Sequence, residues 1–292
     1  MMSYNIQELY GSCGLNSEKN YFQLETRALH IRRKLLRMFE GGIVGHLGGS
    51  GSLVEIITYL YFKEMDISKE QILNSTDRDI MILSKGHSVL VQYAALSEMK
   101  ILPENALGQL KEVGGILQGH PDMRKTPGIE ANTGSLGQGL SISLGLALAF
   151  QLKGSDKHIY TILGDGELAE GQVWEAAMAT SRYGLDSITA IIDRNRYQAT
   201  GSTKDRYPIV DLEAKWKAFG WHVVNADGHD FKSLDRAFEE VRGEKGRPSV
   251  IIANTVKGKG FAFAENTHKY HNCSLSNDEM AMAIENLYKK AK

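Results

Sequence analysis

The stretch from Ile159 to Tyr197 constrains the fold more than any other part of the chain. It holds a β-branched run, Ile159-Tyr-Thr-Ile-Leu163, then Gly164-Asp165-Gly166 and an amphipathic segment with Val173, Trp174 and Ala177 on one face. A second apolar run, Ile188-Thr-Ala-Ile-Ile192, leads into Asp193-Arg194-Asn195. Short apolar runs bounded by Gly and Asp or Asn predict buried parallel strands, and the spacing between them predicts a covering helix. The chain is therefore expected to be an α/β protein, with a central, mostly parallel sheet and helices on both faces. Both polar turns then fall on one edge of that sheet.

That edge is where open α/β sheets bind ligands, and a tight Gly164-Asp165-Gly166 turn lets backbone N–H groups approach an anion such as a diphosphate. Asp165 would repel such an anion unless a divalent cation lay between them, which makes it a candidate metal ligand. Mg²⁺ takes hard oxygen ligands at about 2.0 to 2.1 Å. Asn195, one strand over, can supply a second, since adjacent strands lie about 4.8 Å apart. The backbone carbonyl of Tyr197 is the candidate third. A rival pattern is present, because Gly164-x-Gly166-x-x-Ala169 also satisfies the dinucleotide fingerprint G-x-G-x-x-G/A, with Asp193 ending the next strand where a ribose-binding acid sits. Asp165 and Asn195 favour the metal.

At 292 residues the chain can bury a core as one large α/β domain or two small ones. With 34 basic and 35 acidic residues the formal charge is -1, which gives no reason to expect nucleic acid or an anionic membrane as partner. Cys13 and Cys273 show no disulfide or Cys-x-x-Cys spacing, so a reducing cytoplasm is expected. The first ten residues lack a signal-peptide pattern, and no apolar stretch reaches the roughly 20 residues of a membrane span.

In chain order, residues 22 to 40 have the periodicity of an amphipathic helix that Gly41-Gly42 ends. A glycine-rich loop, Gly45 to Ser52, carries His46 and precedes an apolar helix from Leu53 to Phe62. Leu83-Ser84-Lys85-Gly86-His87 joins a strand at Ile80-Met81-Ile82 to a helix over Val89 to Met99. His120 lies in the loop Gly119-His120-Pro121-Asp122. Thr133 to Gly139 opens a helix, Leu140 to Phe150, that is apolar almost all round and so is expected to be buried. Beyond Asn195 the pattern predicts a loop over Ala199 to Asp211 and a helix over Leu212 to Phe219. A strand at Trp221 to Asn225, a turn at Asp227 to Asp230, a helix at Phe231 to Val241 and a buried strand at Pro248 to Asn254 follow. Lys257-Gly258-Lys259-Gly260 has the composition of a solvated loop. Thr267-His268-Lys269-Tyr270-His271 is the last polar cluster, and Ser276 to Glu279 forms a capping box for a final helix. A zinc site at His268, His271 and Cys273 lacks a fourth ligand. The expected organisation is a single domain over 1–292, with a helical and loop extension over about 1–44, a core over 45–262 and a terminal loop and helix over 263–292.

Gly164-Asp165-Gly166 followed by Asn195 resembles the thiamine diphosphate motif of the transketolase-like enzymes. Gly45-His46-Leu47-Gly48-Gly49-Ser50, Ser84-Lys85-Gly86-His87, Gly119-His120-Pro121 and His271 are similar to the histidine segments of that family, in the family's order. The resemblance implies the thiamine diphosphate-binding fold, with Asp165, Asn195 and the Tyr197 carbonyl holding Mg²⁺ or Ca²⁺ against the diphosphate. It implies cofactor contacts from His46, His87, Gly134, Leu136, Gly166, Asn195 and His271, and catalytic roles on substrate for His46, His120 and His271. The chain resembles the diphosphate-binding half of a transketolase in the form where the two halves are encoded separately. The partner chain, in an α2β2 assembly, would bring the pyrimidine-binding domain and the Glu that the aminopyrimidine needs. The implied reaction is transfer of a two-carbon ketol unit from a ketose phosphate to an aldose, as in the pentose phosphate pathway. Transfer to a carrier protein in a biosynthetic pathway is the alternative. Asn272, where a glycine is usual, and Arg196-Tyr197, where small or aliphatic residues are usual, depart from the family pattern and leave donor and acceptor open.

Overall fold

The computed structural model describes residues 17–74 and 77–289. Its elements run α1 (Ser17–Arg37), α2 (Leu47–Gly51), α3 (Val54–Tyr59), α4 (Lys69–Asn74), β1 (Ile80–Leu83), α5 (Val89–Glu98), α6 (Gln138–Lys153), β2 (Ile159–Gly164), α7 (Gly171–Arg182) and β3 (Ile188–Arg194). There follow β4 (Tyr197–Gln198), β5 (Gly201–Ser202), α8 (Thr203–Arg206), α9 (Leu212–Ala218), β6 (His222–Asp227), α10 (Phe231–Gly243), β7 (Ser249–Asn254) and α11 (Asn277–Lys289). Five strands form one parallel sheet in the order β1-β2-β3-β7-β6.

The sheet explains why its strands read as continuous apolar runs. Successive side chains point to opposite faces, and both faces are covered. Tyr160, Ile162, Ile191, Ile251 and Ala253 pack on one side with α1, α3, α5 and α10, while Ile159, Leu163, Ile188, Ala190, Ile192, Val250 and Ile252 pack on the other with α7 and Trp216 of α9. The two halves of the 159–197 stretch pair in register, with Gly164 opposite Asp193, so both polar turns leave the same carboxyl edge. Ser276 and Glu279 make the reciprocal bonds of a capping box at the start of α11.

Four local expectations are corrected. The glycine-rich segment after His46 is not a loop but the buried helix α2, followed by α3 and a wider π turn over Leu60–Glu64. Its glycines are imposed by packing: a Cβ at Gly49 would fall 2.6 Å from Ser88 Oγ, and one at Gly51 would fall 3.1 Å from the Gly258 backbone. Tertiary contact overrides glycine's poor helix propensity here. Second, α6 is apolar all round yet buries only Gly139, Leu140, Ser143 and Ala147, and Leu152 is 89% exposed. Third, the expected loop over Ala199 to Asp211 contains β5, which pairs back with β4, and α8. Fourth, Lys257 is not solvated but 1% exposed.

Candidate functional site

At the carboxyl edge of β2 and β3 the predicted oxygen ligands converge. Gly166 N–H donates to Asp165 Oδ1 at 2.8 Å and Arg196 N–H to Oδ2 at 2.6 Å, so both turns clamp one carboxylate. Asn195 donates through Nδ2 to Asp193 Oδ2 at 2.8 Å, which fixes its amide and directs Oδ1 towards the Tyr197 side, where Tyr197 N–H meets it at 3.1 Å. Arg196 adopts φ 69°, a left-handed turn that brings Tyr197 back to the edge. Asp165, Gly166, Asn195 and Tyr197 line one cavity of about 300 Å³, shared with Lys85, His87, Leu136, Lys257 and His271.

The four predicted histidines form one cluster, of which His87 and His271 line this cavity and His46 and His120 do not. The His46 ring lies 5.2 Å from His87, 5.4 Å from His271 and 6.0 Å from His120, and His87 lies 4.9 Å from His271. Chain segments more than two hundred residues apart supply them. Gly45 pairs with Cys273 in an antiparallel bridge, and Gly48 N–H donates to the Tyr270 carbonyl, so the His271 segment is fastened to α2. Gly134 is not on the cavity wall; with φ 129° it packs under His120, whose ring leaves 2.5 Å for a Cβ. His46 Nδ1 is buried without a hydrogen-bond partner.

Residues beyond the expected set complete the site. Asp193 is fully buried and accepts from Ser52, Lys85, Asn195 and Thr255, so it holds two of the residues that line the cavity, Lys85 and Asn195, and presents nothing to a ribose. Lys85 also donates to the Gly49 carbonyl at 3.1 Å. Lys257 Nζ donates to the Tyr197 carbonyl at 3.1 Å and lies 3.0 Å from His271 Nδ1. Glu167 accepts from Ser84, Gly137 N–H and Gly164 N–H, tying the start of α6 to the edge of β2. Lys85 is signalled by its place directly before Gly86-His87. Lys257 carries no such signal.

Residues 30–290 match the family model described as the transketolase thiamine diphosphate binding domain. The chain belongs to the transketolase family. Among its relatives, the 6-deoxy-6-sulfo-D-fructose transketolase subunit SqwG of Clostridium sp. (strain MSTE9) is 42% identical over 91% of this chain and 97% of its own length. An apulose-4-phosphate transketolase subunit of Actinobacillus succinogenes is 40% identical over 92% of this chain and 97% of its length. The solved transketolase from Leishmania mexicana superposes with a TM-score of 0.84 at 29% identity, covering 91% of this chain and 41% of that enzyme. The chain thus spans about two fifths of that solved transketolase and nearly all of the relatives named as subunits.

The electrostatics of this transketolase domain suit a metal-bound diphosphate. Burial, and then the charge of Asp193, raise the Asp165 carboxyl to about 7, a cost that a divalent cation would remove. Tyr197's carbonyl already accepts from an ammonium, so the oxygen set attracts positive charge. Gly166 leaves no side chain between its N–H and the cavity, where a Cβ would fall 3.0 Å from Gln198. Burial, and then Lys85, lower Lys257 to about 8. The histidines do not keep the near-neutral pKa expected of exposed imidazoles. Burial, reinforced by neighbouring histidines and lysines, lowers His46 to about 4 and His271 to about 3, and lowers His87 and His120 as well. All four are therefore neutral at pH 7 and offer one donor and one acceptor each.

Proposed function

We propose that this chain holds thiamine diphosphate and a divalent cation, Mg²⁺ or Ca²⁺, as one subunit of a two-chain transketolase that moves a two-carbon ketol unit between sugars. The observation that carries this reading is the convergence of the Asp165 carboxylate, the Asn195 amide oxygen and the Tyr197 carbonyl on one cavity that Lys85, His87 and Lys257 also line. When bound, the cofactor supplies the carbanion chemistry. The chain's residues bind and orient. Asp165, Asn195 and the Tyr197 carbonyl hold the metal, while Gly166, His87 and Lys257 contact the diphosphate. Leu136 covers the thiamine, and His46, His120 and His271 hydrogen-bond substrate hydroxyls.

A second chain carrying the pyrimidine-binding domain completes this site in an α2β2 assembly. Two observations support it: relatives matched over 97% of their length are named as subunits, and Glu167, the other carboxylate on the cavity, is already held by three donors. The donor class is a ketose with an anionic terminal group, since the relatives' names specify a sulfonated fructose and a phosphorylated apulose. Among the described residues no helix is long and apolar enough to cross a membrane, and the cytoplasm is the compartment this reading assigns. Titration calorimetry of thiamine diphosphate with Mg²⁺ and with chelator tests the metal assignment. Binding only with the metal is expected, and equal affinity in both would contradict it.

A further inference from the structure

Lys257 reaches the cavity from a segment whose placement depends on three side chains outside the cavity wall. Val256 N–H donates to His229 Nε2 at 2.8 Å, so that nitrogen is the acceptor and the ring proton sits on Nδ1. Nδ1 lies 2.9 Å from Glu55 Oε2 and donates to it. The second oxygen of Glu55 accepts from Arg32 Nη2 at 2.5 Å. Arg32 then holds the far side of the same turn, donating through Nε to the Lys259 carbonyl at 3.3 Å. Gly260, at φ 92°, leaves only 2.4 Å between a Cβ and Arg32 Nε. Between these two holds, Gly258 N–H donates to the Gly48 carbonyl of α2 at 2.9 Å. Glu55 and Arg32 are buried, and none of Arg32, Glu55 and His229 lines the cavity that holds Asp165.

We propose that His229 and Glu55 are positioning residues: they fix the Val256–Gly260 turn from behind, and through it set Lys257 against Tyr197 and His271 at the diphosphate end of the cavity. The proposal rests on reading that cavity as the diphosphate site. Burial of Glu55 opposes its charge, yet Arg32 and His229 outweigh that cost. A carboxylate kept at such a cost suits a role in orienting a ring rather than in packing. His229 is the only side-chain acceptor found for Val256 N–H among the described residues, so the imidazole can be replaced only by a group presenting an acceptor at the same depth.

The test uses the full chain with His229→Ala, His229→Gln and Asp165→Ala, read by amide hydrogen exchange at Val256 and by calorimetry of thiamine diphosphate with Mg²⁺. In the unaltered chain the Val256 amide is expected to be protected without any ligand. His229→Ala should speed its exchange and weaken cofactor binding by about tenfold, the order expected for one lost buried hydrogen bond. His229→Gln, whose amide oxygen can take the Nε2 position, should restore much of both. A rapidly exchanging Val256 amide in the unaltered chain would overturn the proposal even if His229→Ala failed to fold. So would a folded His229→Ala that keeps full affinity, or a His229→Gln no better than His229→Ala. Failure of the underlying reading looks different: the unaltered chain and Asp165→Ala would then bind the cofactor alike while the Val256 amide stayed protected.

Discussion

Asp165 is held at about 7 by burial and by Asp193, and a bound cation must displace its proton. Metal-dependent binding of thiamine diphosphate is therefore expected to be full above pH 7 and to weaken, by up to about tenfold per unit, as pH falls below it. Calorimetry between about pH 5.5 and 8.5 reads this, and pH-independent affinity would contradict it. Asp165→Ala should abolish the metal dependence while leaving the chain folded. His120→Ala and His271→Ala are expected to cost turnover by about 10² to 10⁴ in the assembled enzyme with little change in cofactor affinity. His87→Ala should weaken cofactor binding first, and equal losses of affinity in all three would refute that division. Lys85→Met strands the fully buried Asp193, so a loss of about 3 to 5 kcal/mol is expected in urea unfolding at pH 7. The sign follows from Asp193: burial opposes its charge, but Lys85 and the Ser52 and Thr255 hydroxyls outweigh burial and hold its carboxyl below the ordinary carboxylate range, so it is ionised in the fold at pH 7.

Among the elements, the contact between β1's exit and α6 shows why glycine recurs at this site. A Cβ at Gly139 would fall 2.3 Å from Ser84 Cβ, and Gly139 N–H donates to Ser84 Oγ at 3.1 Å. Gly139→Ala is expected to destabilise the chain by about 1 to 3 kcal/mol in urea unfolding, as overpacked contacts do, and an unchanged midpoint would show that the contact is loose. The strand-helix-strand unit and its polar carboxyl edge are legible in the sequence because Asp165, Asn195 and their strands lie within one local segment, where periodicity and turn chemistry speak directly. The histidine cluster is legible only through the family's motif order, because His46 and His271 meet across the Gly45–Cys273 bridge, which no local pattern encodes. Lys257 is illegible for the same reason: Lys-Gly-Lys-Gly reads as a solvated loop until α2 and Arg32 close over it. The apolar composition of α6 predicts burial that this chain does not supply by itself.

At the scale of the whole molecule, the proposed function has a second polypeptide supply the pyrimidine end to the diphosphate end that this chain would build. The cavity's own carboxylates are engaged, Asp165 by two backbone N–H groups and Glu167 by Ser84 and two more. The purified chain, shown by mass spectrometry to be free of any partner, should therefore be assayed with thiamine diphosphate, Mg²⁺, a ketose phosphate and an aldose acceptor, before and after a pyrimidine-domain chain is added. No ketol transfer is expected from the chain alone; transfer and a larger species by light scattering should appear together once the second chain is present. Transfer by the chain alone at an ordinary enzymic rate would contradict the two-chain site.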